Sequence, residues 1–145
     1  MELRPSSLTA IVRTQIALRA LRAKINLLFF ERKYIKMSKH PELIVMLTHN
    51  DRTVENAYEI FDACKDTKAK YWGFKEVGIP LDEMKKLCSY MKACGKTTFL
   101  EVVAYTEEEC LAGAKMAVEC GFDCLMGTIF FDSILDYCKQ HDLRY

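Results

Sequence analysis

The sequence predicts an α/β protein whose main body consists of four parallel βα units, the arrangement of half of a (β/α)8, or TIM-type, barrel. Short apolar runs alternate with stretches of helical periodicity, and the runs start near residues 43, 70, 97 and 122, at intervals of 27, 27 and 25 residues. The first three helical stretches also end alike, with a cysteine at positions 64, 94 and 120. A regular period of this kind indicates a repeated supersecondary unit.

The first two units follow the same order of strand and helix. The unbroken apolar run at 43–47 is typical of a buried strand, and the apolar residues of 54–64 fall on one face of a helix. A second strand is predicted around 71–74. Pro80 then opens a helix that Gly95 ends, because proline suits the first helical turn and glycine suits the residue after the last one.

The third and fourth units carry clearer local signals. Residues 97–104 are rich in β-branched and aromatic side chains, which favour a strand. Thr106 followed by Glu109 has the spacing of a capping box, so a helix should begin there. A fourth strand is predicted at 124–129, and Asp132 with the serine after it can cap a last helix.

Four short βα units also fit an open, doubly wound sheet, which is the alternative to the barrel. That fold usually binds its ligand at a glycine-rich first βα turn, whereas the turn at 48–53 contains no glycine. The strands also carry charged residues, Lys75 and Glu101. A sheet covered on both faces disfavours such charges, while a barrel accepts them at the carboxyl ends of its strands. The barrel is therefore favoured.

Composition excludes several classes of protein. The 145 residues are 50% hydrophobic and 28% charged, as in a folded globular domain. The formal net charge is +1, but residues 1–36 carry eight basic and two acidic residues (+6), which leaves −5 for the remainder. An acidic body gives no reason to expect nucleic-acid binding. No apolar run reaches the ~18 residues needed for stable membrane insertion.

Seven cysteines occur without any C-x-x-C pair, and the closest pair, Cys120 and Cys124, has no matching second pair and no nearby histidine. Neither a metal site nor a bound cofactor is expected, and the odd number favours free thiols in the reducing cytoplasm. Residues 1–37 are predicted to be a basic N-terminal extension, which could be helical, and residues 38–145 to be the (βα)4 half-barrel. The extension is interpreted as non-functional, as a targeting segment, or as a helix that closes the bottom of the barrel.

Strand alternation predicts which side chains enter the barrel. If the bulky residues of the second and third strands face the helices, then Lys75 and Glu101 face the barrel axis as neighbours. Those bulky residues are Trp72, Phe74, Leu100 and Val102. A carboxylate beside an ammonium can hold that ammonium or take a proton next to a carbonyl, and the lysine can polarise the carbonyl or form a Schiff base. Lys75 and Glu101 are therefore the candidate catalytic residues, with a structural ion pair as the alternative.

Three further residues are candidates for substrate binding. Alternation places Asn50 and Thr128 at the same mouth as the charged pair, and His49 lies in the first βα loop. Glu76 is expected to point the other way, toward a helix or solvent. The expected ligand is a small molecule.

The segments 99–109 and 117–128 resemble successive βα units of the ribulose-phosphate-binding barrels. They contain a strand that carries glutamate, then Thr-Glu-Glu-Glu at a helix start, then a helix that ends in glycine before an Asp-containing strand. The group includes indole-glycerol-phosphate synthase, sugar-phosphate epimerases and small aldolases. The resemblance implies lyase or isomerase chemistry on a phosphorylated carbonyl metabolite.

The phosphate loops of that group follow the seventh and eighth strands. The resemblance therefore implies either a missing C-terminal half or two half-barrels that pair. The alternative function is an inactive, truncated barrel or a binding module that self-associates through open sheet edges.

Overall fold

Residues 41–145 are described in the computed structural model of the chain. Residues Glu42–Tyr145 form one structural unit. Its elements, in chain order, are β1 (Ile44–Met46), β2 (Thr48–His49), β3 (Arg52–Thr53), α1 (Ala57–Cys64), β4 (Tyr71–Lys75), α2 (Leu81–Ala93), β5 (Thr97–Glu101), α3 (Glu107–Cys120), β6 (Cys124–Met126) and α4 (Asp132–Gln140). The predicted extension at 1–37 lies outside the described residues.

Four of the strands form one parallel sheet in the order β1-β4-β5-β6. The α/β class, the four parallel strands in chain order and the four helices are therefore confirmed. The sequence did not predict the remaining two strands. β2 and β3 form an antiparallel hairpin between β1 and α1, in which Thr48 pairs with Thr53 and His49 with Arg52.

One face of the sheet packs against the helices. Phe61 of α1 meets Trp72 edge to face at 5.1 Å, and Cys88 of α2 donates to the Thr98 hydroxyl at 3.7 Å. Trp72 and Thr98 are register partners on β4 and β5, so α1 and α2 contact the same face. The expected helix-facing side chains are all buried, in agreement with strand alternation: Trp72, Phe74, Leu100 and Val102.

Helix α3 lies close to this face at a glycine. A Cβ on Gly113 would stand 2.5 Å from Cγ1 of Val102, so the absence of a side chain permits the approach. Helix α4 joins the same layer through Ile134 and Cys138, which are buried in the core. The four helices thus pack on one face of the sheet, and Met46, Gly73 and the residues beside them lie on the other face.

The last residues of the chain extend the sheet beyond β6. Arg144 accepts a hydrogen bond from Leu125 N (2.8 Å) and donates one to Asp123 O (3.1 Å), and it forms a parallel bridge with Cys124. The chain therefore lies where a further parallel strand would stand, and it covers part of the outer edge of β6. No helix among residues 41–145 is long and apolar enough to cross a membrane.

Candidate active site at the carboxyl end of the sheet

Lys75 and Glu101 are the last residues of their strands and lie side by side. Lys75 is the register partner of Glu101, and Glu101 is the register partner of Met126 at the end of β6. Register partners on parallel strands share a face of the sheet. Lys75 also shares its face with Gly73, where a Cβ would stand 2.8 Å from Met46 Sδ, so both charged residues lie on the face opposite the helices. The structure brings the two candidate catalytic residues together at one edge.

Lys75 pairs with Asp51, whereas the sequence analysis considered Glu101 as the group that holds it. Its Nζ donates to Asp51 Oδ1 at 2.6 Å. The hydrogen bond that Lys75 donates to Asp51 raises the pKa of Lys75, burial opposes that rise, and the charges of Asp51, Glu101 and Glu76 add to it. Lys75 is therefore an ammonium at neutral pH. This favours electrostatic polarisation of a carbonyl over a Schiff base, which requires the free amine.

Thr53 fixes the backbone of Lys75 from the hairpin. The buried Thr53 hydroxyl donates to Lys75 O at 2.8 Å and accepts from Lys75 N at 2.9 Å. These two bonds replace the backbone hydrogen bonds that a neighbouring strand would make with Lys75 at the end of β4. The hairpin and the end of β4 therefore hold one another in position.

The hairpin turn places the Asp51 carboxylate next to the Lys75 ammonium. Asn50 and Asp51 both adopt positive φ, at 48° and 61°, which is the backbone of a two-residue type I′ turn. Glycine is the usual second residue of that turn, and its absence concealed the hairpin in the sequence. The pattern that could have revealed the hairpin is the Asn-Asp pair at 50–51. β-branched threonines, Thr48 and Thr53, stand two residues before and two residues after this pair.

The Glu101 side chain acts on Lys75 through its charge. Its carboxylate is partly exposed and forms no hydrogen bond or ion pair within the described residues. Its backbone oxygen accepts from Glu76 N at 3.1 Å, which ties the end of β5 to β4. The carboxylate is thus able to accept a proton from a ligand without first breaking a bond within residues 41–145.

Glu76 folds back over the loop that follows β5. Its Oε1 accepts from Val103 N at 3.1 Å. Its Oε2 is buried and has no hydrogen-bond partner in the described part of the chain. A third carboxylate therefore adds negative charge beside Lys75 and Glu101.

The three candidate binding residues occupy two loops at this end. His49 and Asn50 are exposed on the hairpin beside Asp51. The Thr128 hydroxyl lies 2.6 Å from the Tyr145 hydroxyl, which donates to Ile129 O at 3.1 Å. The structure therefore links Thr128 to the chain terminus, and it shows no direct bond from Thr128 to Lys75 or Glu101 within residues 41–145.

Exposed apolar side chains lie on the βα loops at this end of the sheet. Tyr105 follows β5 and is 75% exposed, and Phe130 follows β6 and is 62% exposed. Phe130 stacks on Tyr145 at 6.1 Å between ring centroids. This edge of the sheet therefore combines buried charge with accessible apolar surface, as a ligand site does.

A concave region lies elsewhere, in the helix layer. It is a groove of about 330 Å³ beside α1 and α2, lined partly by Tyr58, Ile79, Glu83 and Lys86. None of the candidate residues lines it. No group of three potential metal ligands occurs within residues 41–145.

No family model, no curated protein and no solved structure matches the chain. The resemblance to the ribulose-phosphate-binding barrels stays a prediction.

Proposed function

We propose that residues 42–145 are the first four βα units of a (β/α)8 barrel enzyme. Three features support this: the strands follow one another in chain order, the helices share one face, and Arg144 lies beside β6 as a further parallel strand would. A reading frame that continues past Tyr145 with four more βα units would support the single-chain barrel. Evidence that the natural chain ends at Tyr145 would leave the pairing of two halves as the route to a complete barrel.

The proposed reaction begins with removal of a proton next to a carbonyl. The Lys75 ammonium binds the carbonyl oxygen, and the Glu101 carboxylate takes the proton from the adjacent carbon, so the electron pair of the C–H bond moves toward the oxygen as an enolate. An isomerase or epimerase returns the proton to a carbon. A lyase reaches the same enolate by breaking a carbon–carbon bond.

One observation carries this proposal. A buried lysine, kept charged by Asp51, ends its strand in register with a glutamate whose carboxylate is not bonded within the described residues. The substrate is a small carbonyl metabolite, and the family resemblance adds a phosphate group that later loops of the barrel would bind. The seven free cysteines support a reducing compartment, the cytoplasm.

Exchange with solvent deuterium tests the chemistry directly. The protein is incubated in D2O with small aldehydes and ketones, with and without phosphate groups, and loss of the C–H signal next to the carbonyl is followed by proton NMR. We expect Glu101→Gln to slow exchange by at least ~10²-fold and Lys75→Met by a similar factor, with folding retained.

Glu108→Gln is the matched control, because Glu108 is an exposed glutamate at the start of α3 and makes no ion pair within the described residues. Exchange that survives Glu101→Gln, or that falls equally in the control, would show that Glu101 is not the base. Variants that keep exchange but melt earlier would make the two residues structural.

A second candidate is a binding module that self-associates. The observation that favours it is the apolar surface around the βα loops, where exposed side chains such as Tyr105 and Phe130 favour association. Sedimentation should then show dimers or larger species whose population rises with concentration. A monodisperse monomer with one cooperative unfolding transition would contradict it.

A further inference from the structure

The ion pair at the site joins two side chains of very different exposure. The side chain of Lys75 is 3% exposed, and that of Asp51 is 85% exposed. An almost fully solvated carboxylate therefore contacts the ammonium of a lysine whose side chain is buried by the rest of the protein. Removal of the Asp51 carboxylate would expose the ammonium from one side while leaving its stem packed.

The turn that holds Asp51 is not built for backbone stability. Its second residue has φ of 61°, where glycine is the favoured residue and aspartate is strained. An Asn-Gly turn would give the same hairpin without that strain. A strained residue that contacts the one buried ammonium of the described residues points to a role for the carboxylate itself.

The charges around Lys75 limit what else can bind there. Three carboxylates influence its charge, namely those of Asp51, Glu101 and Glu76. An additional anion would add to the net negative charge of these groups, whereas a carboxylate that takes the place of one of them leaves that charge unchanged. Asp51 can leave at the lowest cost, because its carboxylate is already solvated, whereas Glu76 accepts a hydrogen bond from Val103 N. Even then two carboxylates stay, which disfavours a phosphate dianion relative to a monoanion.

We propose that the Lys75 ammonium is a binding site for a carboxylate group of the ligand, and that Asp51 occupies this site in the free protein until the ligand displaces it. An ammonium has three N–H donors, so the ligand's carboxylate and the carbonyl oxygen of the proposed reaction can bind Lys75 together. The proposal rests on the proposed function only in placing the ligand at this edge of the sheet. It assigns the carboxylate to the substrate and removes any phosphate from the neighbourhood of Lys75.

Competition between acetate and Asp51 tests the proposal. The isotope-labelled full chain is titrated with acetate and, separately, with inorganic phosphate at constant ionic strength, and the backbone amide signals of Thr53 and Lys75 are followed by NMR. We expect saturable binding of acetate, weaker binding of phosphate, and no binding of either in Lys75→Met. In Asp51→Asn the apparent dissociation constant for acetate should fall at least about tenfold, because the internal competitor is gone.

Asp66→Asn is the matched control. It removes the same charge from an exposed loop at the opposite end of β4, and it should leave the constant within about twofold. Asp51→Gly provides a second variant in case the asparagine disturbs the turn, and it should tighten acetate binding equally. Lys75→Met is expected to fold, since its partner carboxylate is solvated and methionine fills the same space.

Several results would overturn the proposal. They are acetate binding that is unchanged or weaker in both Asp51 variants, binding that persists in folded Lys75→Met, and tighter binding of phosphate than of acetate. Glu101→Gln separates this test from the proposed function, because it should stop deuterium exchange and still bind acetate. If Glu101→Gln loses deuterium exchange while acetate still competes with Asp51, the carboxylate site is supported independently of the proposed reaction.

Discussion

The two ends of the same parallel sheet use their polar groups in opposite ways. At the amino end, the charged and hydroxyl groups near β5 and β6 bond to one another. At the carboxyl end, the Glu101 carboxylate has no bond within residues 41–145 and one Glu76 oxygen is buried without a partner. Both ends are made by the same strands, so the contrast reflects the residues placed at each end.

Asp123 organises the amino end. Its Oδ2 accepts from both the backbone N–H (2.8 Å) and the hydroxyl (2.9 Å) of the buried Thr98, and its own N–H donates back to that hydroxyl at 3.1 Å. Lys92 adds an ion pair to Asp123 Oδ1 at 3.0 Å and donates to Gly121 O at 2.7 Å. This group joins β5, β6 and the ends of α2 and α3.

The carboxyl end carries unused bonding capacity instead. Positive φ does not distinguish the two ends, because it occurs at Asn50 and Asp51 of the carboxyl end and at Asp142 near the amino end of β6. Unmet polar groups reduce stability, so their concentration at one edge favours binding or chemistry there. In barrel folds this is the end at which ligands bind, while the opposite end contributes stability. The contrast therefore supports the placement of the site.

The largest expected effect on stability is that of Asp123→Ala. The substitution leaves the N–H of Thr98, a fully buried residue, without its Asp123 acceptor, so we expect a loss of roughly 2–3 kcal/mol in the free energy of unfolding. Denaturant unfolding measures the loss. Asp82→Ala is the matched control, since Asp82 forms only an exposed ion pair with Lys86. Equal effects of the two substitutions would remove the distinction between the ends of the sheet.

Two glycines test the same distinction with one kind of substitution. Gly121 and Gly127 both have positive φ, but a Cβ on Gly121 meets no atom within 4 Å, whereas on Gly127 it would lie 2.9 Å from Val102 O and 3.0 Å from Glu101 Cγ. We expect Gly121→Ala to cost about 1 kcal/mol without changing exchange activity. Gly127→Ala should cost about 1–3 kcal/mol and slow exchange about tenfold, because Glu101 must move.

Unfolding measurements and the deuterium-exchange assay, applied to both glycine variants, give the comparison. If Gly121→Ala slowed exchange as much as Gly127→Ala does, displacement of Glu101 would not be the cause.

Acid should weaken the amino end of the sheet. Burial would raise the pKa of Asp123, but hydrogen bonds from Thr98 and Lys92 and the charge of Lys92 outweigh burial and lower it. A lowered pKa in the folded state stabilises the protein above the unfolded value of about 3.9, and this stability is lost as pH falls below it. The loss should be smaller than in Asp123→Ala, because a protonated carboxyl still accepts hydrogen bonds.

Unfolding free energies measured between pH 5 and pH 2 test this effect. Asp123→Asn should flatten that part of the profile. An unchanged slope in the variant would assign the acid sensitivity to other carboxylates.

Local and periodic features were the ones that the sequence could predict. The order of strands and helices, the capping box at Thr106 and the shared face of Lys75 and Glu101 all depend on residues close in sequence or on a period of two. The barrel interpretation and the catalytic role of the pair stay predictions.

The partner of Lys75 was not predictable in the same way. It depends on a hairpin without glycine, 24 residues away in sequence, whose turn is strained. The bond between Thr128 and Tyr145 and the pairing of Arg144 with β6 are also long-range contacts without a local pattern. The carboxyl edge of the sheet was therefore the harder part to predict, because its contacts depend on residues far apart in sequence.

The smallest expected effect concerns a polar group at the carboxyl end whose bonds serve a helix start. Thr106 caps α3: its hydroxyl accepts from Glu109 N at 3.3 Å and donates to Glu109 Oε2 at 2.7 Å. Thr106→Ala should cost about 1 kcal/mol, because the first turn of α3 loses its acceptor. Thr67→Ala is the control, since Thr67 is an exposed loop residue that contributes backbone bonds only.

Exchange activity should be unchanged in Thr106→Ala, which would show that a polar group at the carboxyl end can serve stability alone. A loss of activity equal to that of Gly127→Ala would instead mean that the start of α3 positions Glu101. The functional region would then extend from the ends of the strands into the helix that follows β5, and the difference between the two ends would include the helices as well as the sheet.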